Sequence, residues 1–78
     1  MATRPYYTSA AWLDTARLAQ GIAYAKLEDG RSLVVRSVSG GWAYVLAGVI
    51  SDTYPNADAA IAELTGALAD EHILLRRR

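Results

Sequence analysis

The side chains able to do chemistry are few in this 78-residue chain. His72 is the one histidine, and it follows Asp70 and Glu71. A general base acts on a group held within hydrogen-bond reach and is itself oriented by a third group. Acids that merely adjoin a histidine in sequence supply neither, and read as the polar end of a helix. There is no cysteine, so no thiolate serves as nucleophile or ligand. One histidine also falls short of the three or four Cys, His or carboxylate ligands that zinc takes. Glu28 and Asp29 precede Gly30 at a hairpin tip, where water leaves a carboxylate unsuited to acid–base work. Gly40-Gly41 joins two strands and does not open a helix, so it is no phosphate cradle. The expectation is a protein without catalysis, cofactor or metal.

Charge distribution says more than net charge, which is zero. Residues 1–36 carry five basic and three acidic groups, and residues 37–75 carry Asp52, Asp58, Glu63, Asp70 and Glu71 with no Lys or Arg. Arg76-Arg77-Arg78 ends the sequence. The simple reading is a solvated acidic helix and a solvated basic end. The sharper reading is an acidic face that meets a basic partner surface, with Asp52, Asp58, Glu63 and Asp70, together with Arg36, as the candidate partner-binding residues. There are five Tyr and two Trp but no Phe, and aromatics with a polar tip suit contact surfaces.

The elements that position these groups follow from spacing. Residues 1–8, with Arg4-Pro5, read as a leader. Thr8 or Ser9 caps a helix from Ala10 to Gln20, with Trp12, Ala16 and Ala19 on one stripe and Gly21 as its left-handed terminator. Asp29-Gly30 and Gly40-Gly41 are turn signals, which predicts strands at Ile22–Glu28, Arg31–Val38 and Trp42–Ser51. If Asp29-Gly30 is a two-residue loop, Tyr24 pairs with Val35 and Lys26 with Leu33. Ser39 then faces Trp42 across the second turn, and Val35 pairs with Leu46. One face carries Ile22, Tyr24, Leu33, Val35, Trp42, Tyr44, Leu46 and Ile50, and reads as the core. The other carries Ala23, Ala25, Leu27, Val34, Val38, Ala43, Val45, Ala47 and Val49, with Ser32 and Arg36, too apolar for open water. Each face has its own helix, or one is a contact surface. Asn56 caps a last helix over 57–70 whose buried stripe is Ala57, Ala60, Ile61, Leu64, Ala67 and Leu68. Leu46 is expected between the sheet and this helix, against Leu64 or Leu68. Ile73-Leu74-Leu75 adds a short fourth strand or closes the helix packing.

The expected fold is therefore one α+β domain over residues 1–78: a three-stranded antiparallel meander packed with two helices in αβββα order. The longest apolar run, Trp42 to Ile50, is too short for a membrane span, and Asp14 interrupts any signal-peptide core. A cytoplasmic protein is expected, consistent with the lack of cysteine.

Helix–three strands–helix is the order of the double-stranded-RNA-binding domain, and the chain resembles it in topology. Such domains start their last helix with lysines, and here Asn56-Ala57-Asp58-Ala59 would repel phosphate. In its small size, α+β layout, acidic helix and tyrosine-rich surface the whole chain resembles small phage-encoded inhibitors of the anti-CRISPR type. That resemblance implies a protein partner in the host cytoplasm, such as a CRISPR surveillance complex or another nucleic-acid-handling complex. Asp52, Asp58, Glu63 and Asp70 would lie on its basic groove in place of phosphates. The alternatives are a small nucleic-acid-binding protein gripping a backbone with Arg31, Arg36 and the arginine tail, and a regulatory homodimer that buries the small-residue sheet face against itself.

Overall fold

The computed structural model describes residues 6–78; Arg4-Pro5 of the expected leader lies outside them. The architecture is α+β. Its elements run β1 (Ser9–Leu13), β2 (Ile22–Lys26), β3 (Ser32–Val38), β4 (Gly41–Leu46), β5 (Val49–Ile50), α1 (Ala57–Asp70) and β6 (Ile73–Arg77). Strands β2-β3-β4-β5 form an antiparallel sheet in sequence order, and β1 pairs with β6 in parallel. The two sheets meet at one bridge, where the Asp14 N–H donates to the Tyr24 carbonyl at 2.8 Å and the Tyr24 N–H returns the bond at 3.4 Å.

The last helix has the expected bounds. Asn56 is its N-cap, and its side-chain oxygen accepts from the Ala59 N–H at 2.8 Å. Ala60, Ile61, Leu64 and Leu68 form the buried stripe. His72 ends the helix in the left-handed region (φ 58°), with its N–H donating to the Ala69 carbonyl at 2.9 Å.

The expected first helix is not formed. Residues 9–13 are a strand, and only Leu18–Gln20 makes a short 3₁₀ turn before Gly21. Ala11 and Leu13 are buried and Trp12 is not, the two-residue alternation of a strand. The partner that makes this favourable is β6, with Ser9 opposite Ile73 and Leu13 opposite Arg77. Among the described residues the order is thus βββββαβ, with one α-helix instead of two. The C-terminal apolar run is a strand as expected, but it pairs with β1 and does not extend the meander.

Both hairpins differ from the expected register, with different consequences. In the first, the Leu27 N–H donates to the Arg31 carbonyl at 2.8 Å, leaving a three-residue loop of Glu28, Asp29 and Gly30. Gly30 takes the left-handed conformation (φ 92°) that closes such a loop, and Asp29 Oδ1 accepts from the Arg31 N–H at 3.0 Å. Tyr24 therefore opposes Val34, not Val35. A one-residue slip moves every side chain of a strand to the other face. Ala23, Ala25 and Leu27 join Leu33 and Val35 in the core, while Ile22, Tyr24 and Lys26 turn outward. In the second hairpin the loop is Ser39-Gly40, so Val35 opposes Tyr44 and Leu33 opposes Leu46. That is a two-residue shift, and it keeps the expected faces of β3 and β4. The long third strand is broken by Ala47-Gly48, both with positive φ, into β4 and β5.

Helix α1 covers the inner face. Leu13, Leu33, Val35, Leu64 and Leu68 are fully buried there, with Ile61, Ile73 and Leu75 alongside. Leu46 faces this core but is only half-buried. Its expected place at the centre is taken by Leu33 and Val35, which lie one and three residues into β3. Two ion pairs tie helix to sheet. Arg77 Nη2 reaches Asp58 Oδ1 at 3.2 Å in the first turn, and Arg31 bridges Asp29 (2.8 Å) and Glu71 (2.9 Å) at the last. An acid at a helix C-terminus opposes the helix dipole, and Arg31 offsets Glu71 there.

Candidate functional site

Alternation on an uncovered sheet builds the surface of interest. With Leu33 and Val35 inward, β3 presents Ser32, Val34 and Arg36 outward. Register places Lys26, Tyr24 and Ile22 beside them on β2 and the half-buried Val45 on β4; Ala43, opposite Arg36, is buried. The bridge carries this face across to β1, because Asp14 opposes Tyr24 and Trp12 shares its side. Trp12 opposes Arg76 on β6. The exposures decide the matter: Trp12 is 45% exposed, Tyr24 48% and Ile22 40%. No described element packs over them.

The aromatic and cationic groups are interleaved. Arg76 lies over the Trp12 ring at 5.6 Å from its centroid and Arg78 at 5.2 Å, cation–π distances. Arg78 belongs to this edge, because its N–H donates to the Leu13 carbonyl at 2.9 Å and the Thr15 hydroxyl donates to its carbonyl. At the other end Ile22, Val34, Arg36 and Val45 line a shallow hollow of about 650 Å³ beside Gly21. Arg17 lines a second hollow with Asp14, Ile22 and Tyr24. Among the described residues Arg17, Lys26, Arg36, Arg76 and Arg78 form no ion pair. Asp14 is the acid that the strands place on this side, and its Oδ1 accepts from the Ala16 N–H at 3.0 Å.

The arginine tail is thereby divided by strand alternation. Arg76 and Arg78 point outward beside Trp12, and Arg77 points inward to Asp58.

The expected partner-binding residues do not converge. Arg36 is exposed at the centre of the open face, on the side of the sheet away from α1. Asp52 is exposed in the loop after β5, where its carbonyl accepts from the Ser51 hydroxyl at 2.8 Å. Asp58 is exposed and held by Arg77. Glu63 and Asp70 are exposed two turns apart on one line of the helix, about 140° and 120° around the axis from Asp58. Ala59, Ala62 and Gly66 lie between. The acids thus make a sparse rim and not one patch. Of the small-residue face that the homodimer alternative would bury, Ala23, Ala25 and Leu27 are in the core, while Val34, Arg36 and Val45 stay on the open side of the sheet.

Perturbed ionisation is confined to structural positions. The Arg31 backbone N–H, and then the Arg31 guanidinium, hold the Asp29 carboxyl below its ordinary value of 3.8, outweighing the desolvation that opposes them. Burial, and then the charge of Glu63, raise the Tyr54 phenol above 10.0. Tyr54 stacks with Tyr44 (centroids 6.4 Å apart, planes within 7°) and exchanges backbone hydrogen bonds of 2.7 and 2.8 Å with Trp42.

Trp12, Tyr24, Ile22, Arg76 and Arg78 were not expected at a site. For Tyr24 the signal was present. Lys26 and Glu28 share its parity, whereas Ala23, Ala25 and Leu27 make a wholly apolar set.

No family model, curated protein or solved structure matches this chain. Fold and surface define a small α+β protein, an antiparallel sheet with a parallel pair at its side and one helix on one face. Among the described residues no helix is long and apolar enough to cross a membrane.

Proposed function

We propose that this chain is a non-catalytic binding module whose open sheet face docks on a polyanion. One observation carries the reading: cations are divided between the two sides of the sheet. On the helix side Arg31 and Arg77 are engaged by Asp29, Glu71 and Asp58. On the open side Lys26, Arg36, Arg76 and Arg78 stand among exposed aromatic and aliphatic side chains and, among the described residues, form no ion pair, with Asp14 and, beyond Lys26 at the hairpin tip, Glu28 as the acids nearby. Neutral net charge does not argue against this, because what a partner meets at contact is the local field. Retention on immobilised heparin at low salt tests it. The wild-type chain is retained, Arg36→Glu with Arg76→Glu and Arg78→Glu is not, and equal elution of both proteins would refute the reading.

The inhibitor reading is favoured by a different observation. Asp52, Glu63 and Asp70 are exposed and, among the described residues, form no ion pair. In that reading they face a basic protein surface, as in the anti-CRISPR-type proteins the sequence resembles. Glu63→Lys with Asp70→Lys separates the two readings. The double variant strengthens polyanion binding if the sheet face is the site, and abolishes capture of a basic protein partner if the helix is.

A further inference from the structure

We infer that the polyanion is a single-stranded nucleic acid whose bases stack on Trp12 and Tyr24 while its phosphates meet Arg36, Lys26, Arg76 and Arg78. The inference rests on the sheet-face reading above and adds the chemistry of the ligand. A merely anionic partner needs the cations alone. It gives no reason for a tryptophan and a tyrosine to stand 45% and 48% exposed among them. Unpaired bases do, because every base has a π face, and aromatic side chains set in a basic groove are how single strands are held without sequence readout. Bases within a duplex are already stacked and paired, so they leave such rings unused.

The spacing suits successive bases. Asp14 opposes Tyr24, so Trp12, two residues back on β1, is its diagonal neighbour, roughly 7–8 Å away. Both rings rise from the same side of adjacent strands. The cations flank this pair and are not mixed at random with it. Arg76 and Arg78 stand at the Trp12 end, Lys26 lies two residues along β2 from Tyr24, and Arg36 lies beyond it next to the hollow formed with Ile22, Val34 and Val45. A strand laid from β6 towards β4 meets cations, ring, ring, then cation again. The guanidiniums that lie over Trp12 carry N–H groups for the phosphates beside it. The opposing Asp14 is partly occupied by the Ala16 N–H.

The test compares a fluorescently labelled oligothymidine, a duplex of equal length and heparin, by anisotropy, on the full chain. The proposal expects oligothymidine to bind more tightly than the duplex. Its log affinity should fall with log salt with a slope approaching about −3 for four neutralised phosphates on a single strand. Trp12→Ala and Tyr24→Ala should each weaken oligothymidine binding by about tenfold or more and weaken heparin binding by much less. Trp12→Phe and Tyr24→Phe keep a stacking ring and should regain most of the affinity, which separates lost stacking from lost folding. If heparin and oligothymidine bind alike and the alanine variants change neither, stacking is refuted while the polyanion reading stands. Tighter binding of the duplex refutes the single-strand assignment in the same way. If no polyanion binds at low salt, both readings fall.

Discussion

On its covered side the sheet presents Leu33 and Val35, fully excluded from water beneath Leu64 and Leu68 of the helix. On its other side the same strands present Tyr24, Val34 and Arg36 to solvent, continuous with Trp12 and Arg76. Both faces come from one alternation of side chains, and what separates them is that a single helix is available to cover one of them. An antiparallel sheet tolerates this arrangement when its free face is polar. Here the free face is only half polar, and the aromatic groups left in water are what set it apart from an ordinary solvated surface. Arginine use follows the same division: Arg31 and Arg77 on the helix side pair with its acids, and Arg36, Arg76 and Arg78 on the open side form no ion pair among the described residues.

The largest effect that tests this division is on stability. Leu64→Ala should cost about 3–5 kcal/mol, because the side chain is fully buried and the cavity cannot collapse between helix and sheet. Tyr24→Ala, on the other face of the same sheet, should cost about 1 kcal/mol or less. Urea denaturation of both variants checks the pair, and comparable losses would mean that Tyr24 is also core.

Two glycines sharpen the comparison with opposite signs. A Cβ at Gly41 would run into the Tyr54 carbonyl oxygen and the Thr53 side chain, at a backbone φ of 154°. Gly41→Ala should therefore destabilise by roughly 2–3 kcal/mol through displaced backbone and strain. Gly66 lies on the exposed side of α1, where an added Cβ meets nothing within 4 Å. Gly66→Ala should stabilise by about 1 kcal/mol from helix propensity alone. Thermal melts of the two variants should move in opposite directions.

The smallest effect is at the tip of the first hairpin. The Asp29 carboxyl is held below 3.8. Its charged form is favoured by folding, so its contribution is complete above the unfolded value and is lost as pH falls below 3.8 through the folded one. An NMR titration should give Asp29 a midpoint under 3.8. Arg31→Ala should raise that midpoint only in part, since the residue 31 backbone N–H, the larger cause, remains.

The helix was legible because its signals are local: Asn56 as cap, and Ile61, Leu64 and Leu68 at helical spacing. The turns were legible too, but the length of the first loop and the position of the second were not. Asp29-Gly30 serves a two-residue or a three-residue loop, and the choice decides which face Tyr24 joins. Composition could have made that choice, since a core face made of Ile22, Tyr24, Lys26 and Glu28 would bury two charges. At the second hairpin the misjudged loop shifted pairing by two residues, which cost nothing in facing. Strand β1 was not legible in the same way. Trp12, Ala16 and Ala19 fit a helical stripe, and what overrides it is a partner strand some sixty residues later, a non-local pairing that no local window contains. The dispersed site follows from this. Trp12 and Arg76 are brought side by side only by that pairing, and Tyr24 reaches their face only through the three-residue loop.

The measurement that bears most directly on the central claim is a ¹⁵N–¹H correlation titration of the full chain with oligothymidine. The account predicts the largest shifts at the Trp12 indole N–H and at the backbone amides of Tyr24, Val34, Arg36 and Arg76, with the amides of residues 57–70 little changed. Shifts concentrated around Glu63 and Asp70, with Trp12 and Tyr24 undisturbed, would contradict it and move the site to the helix.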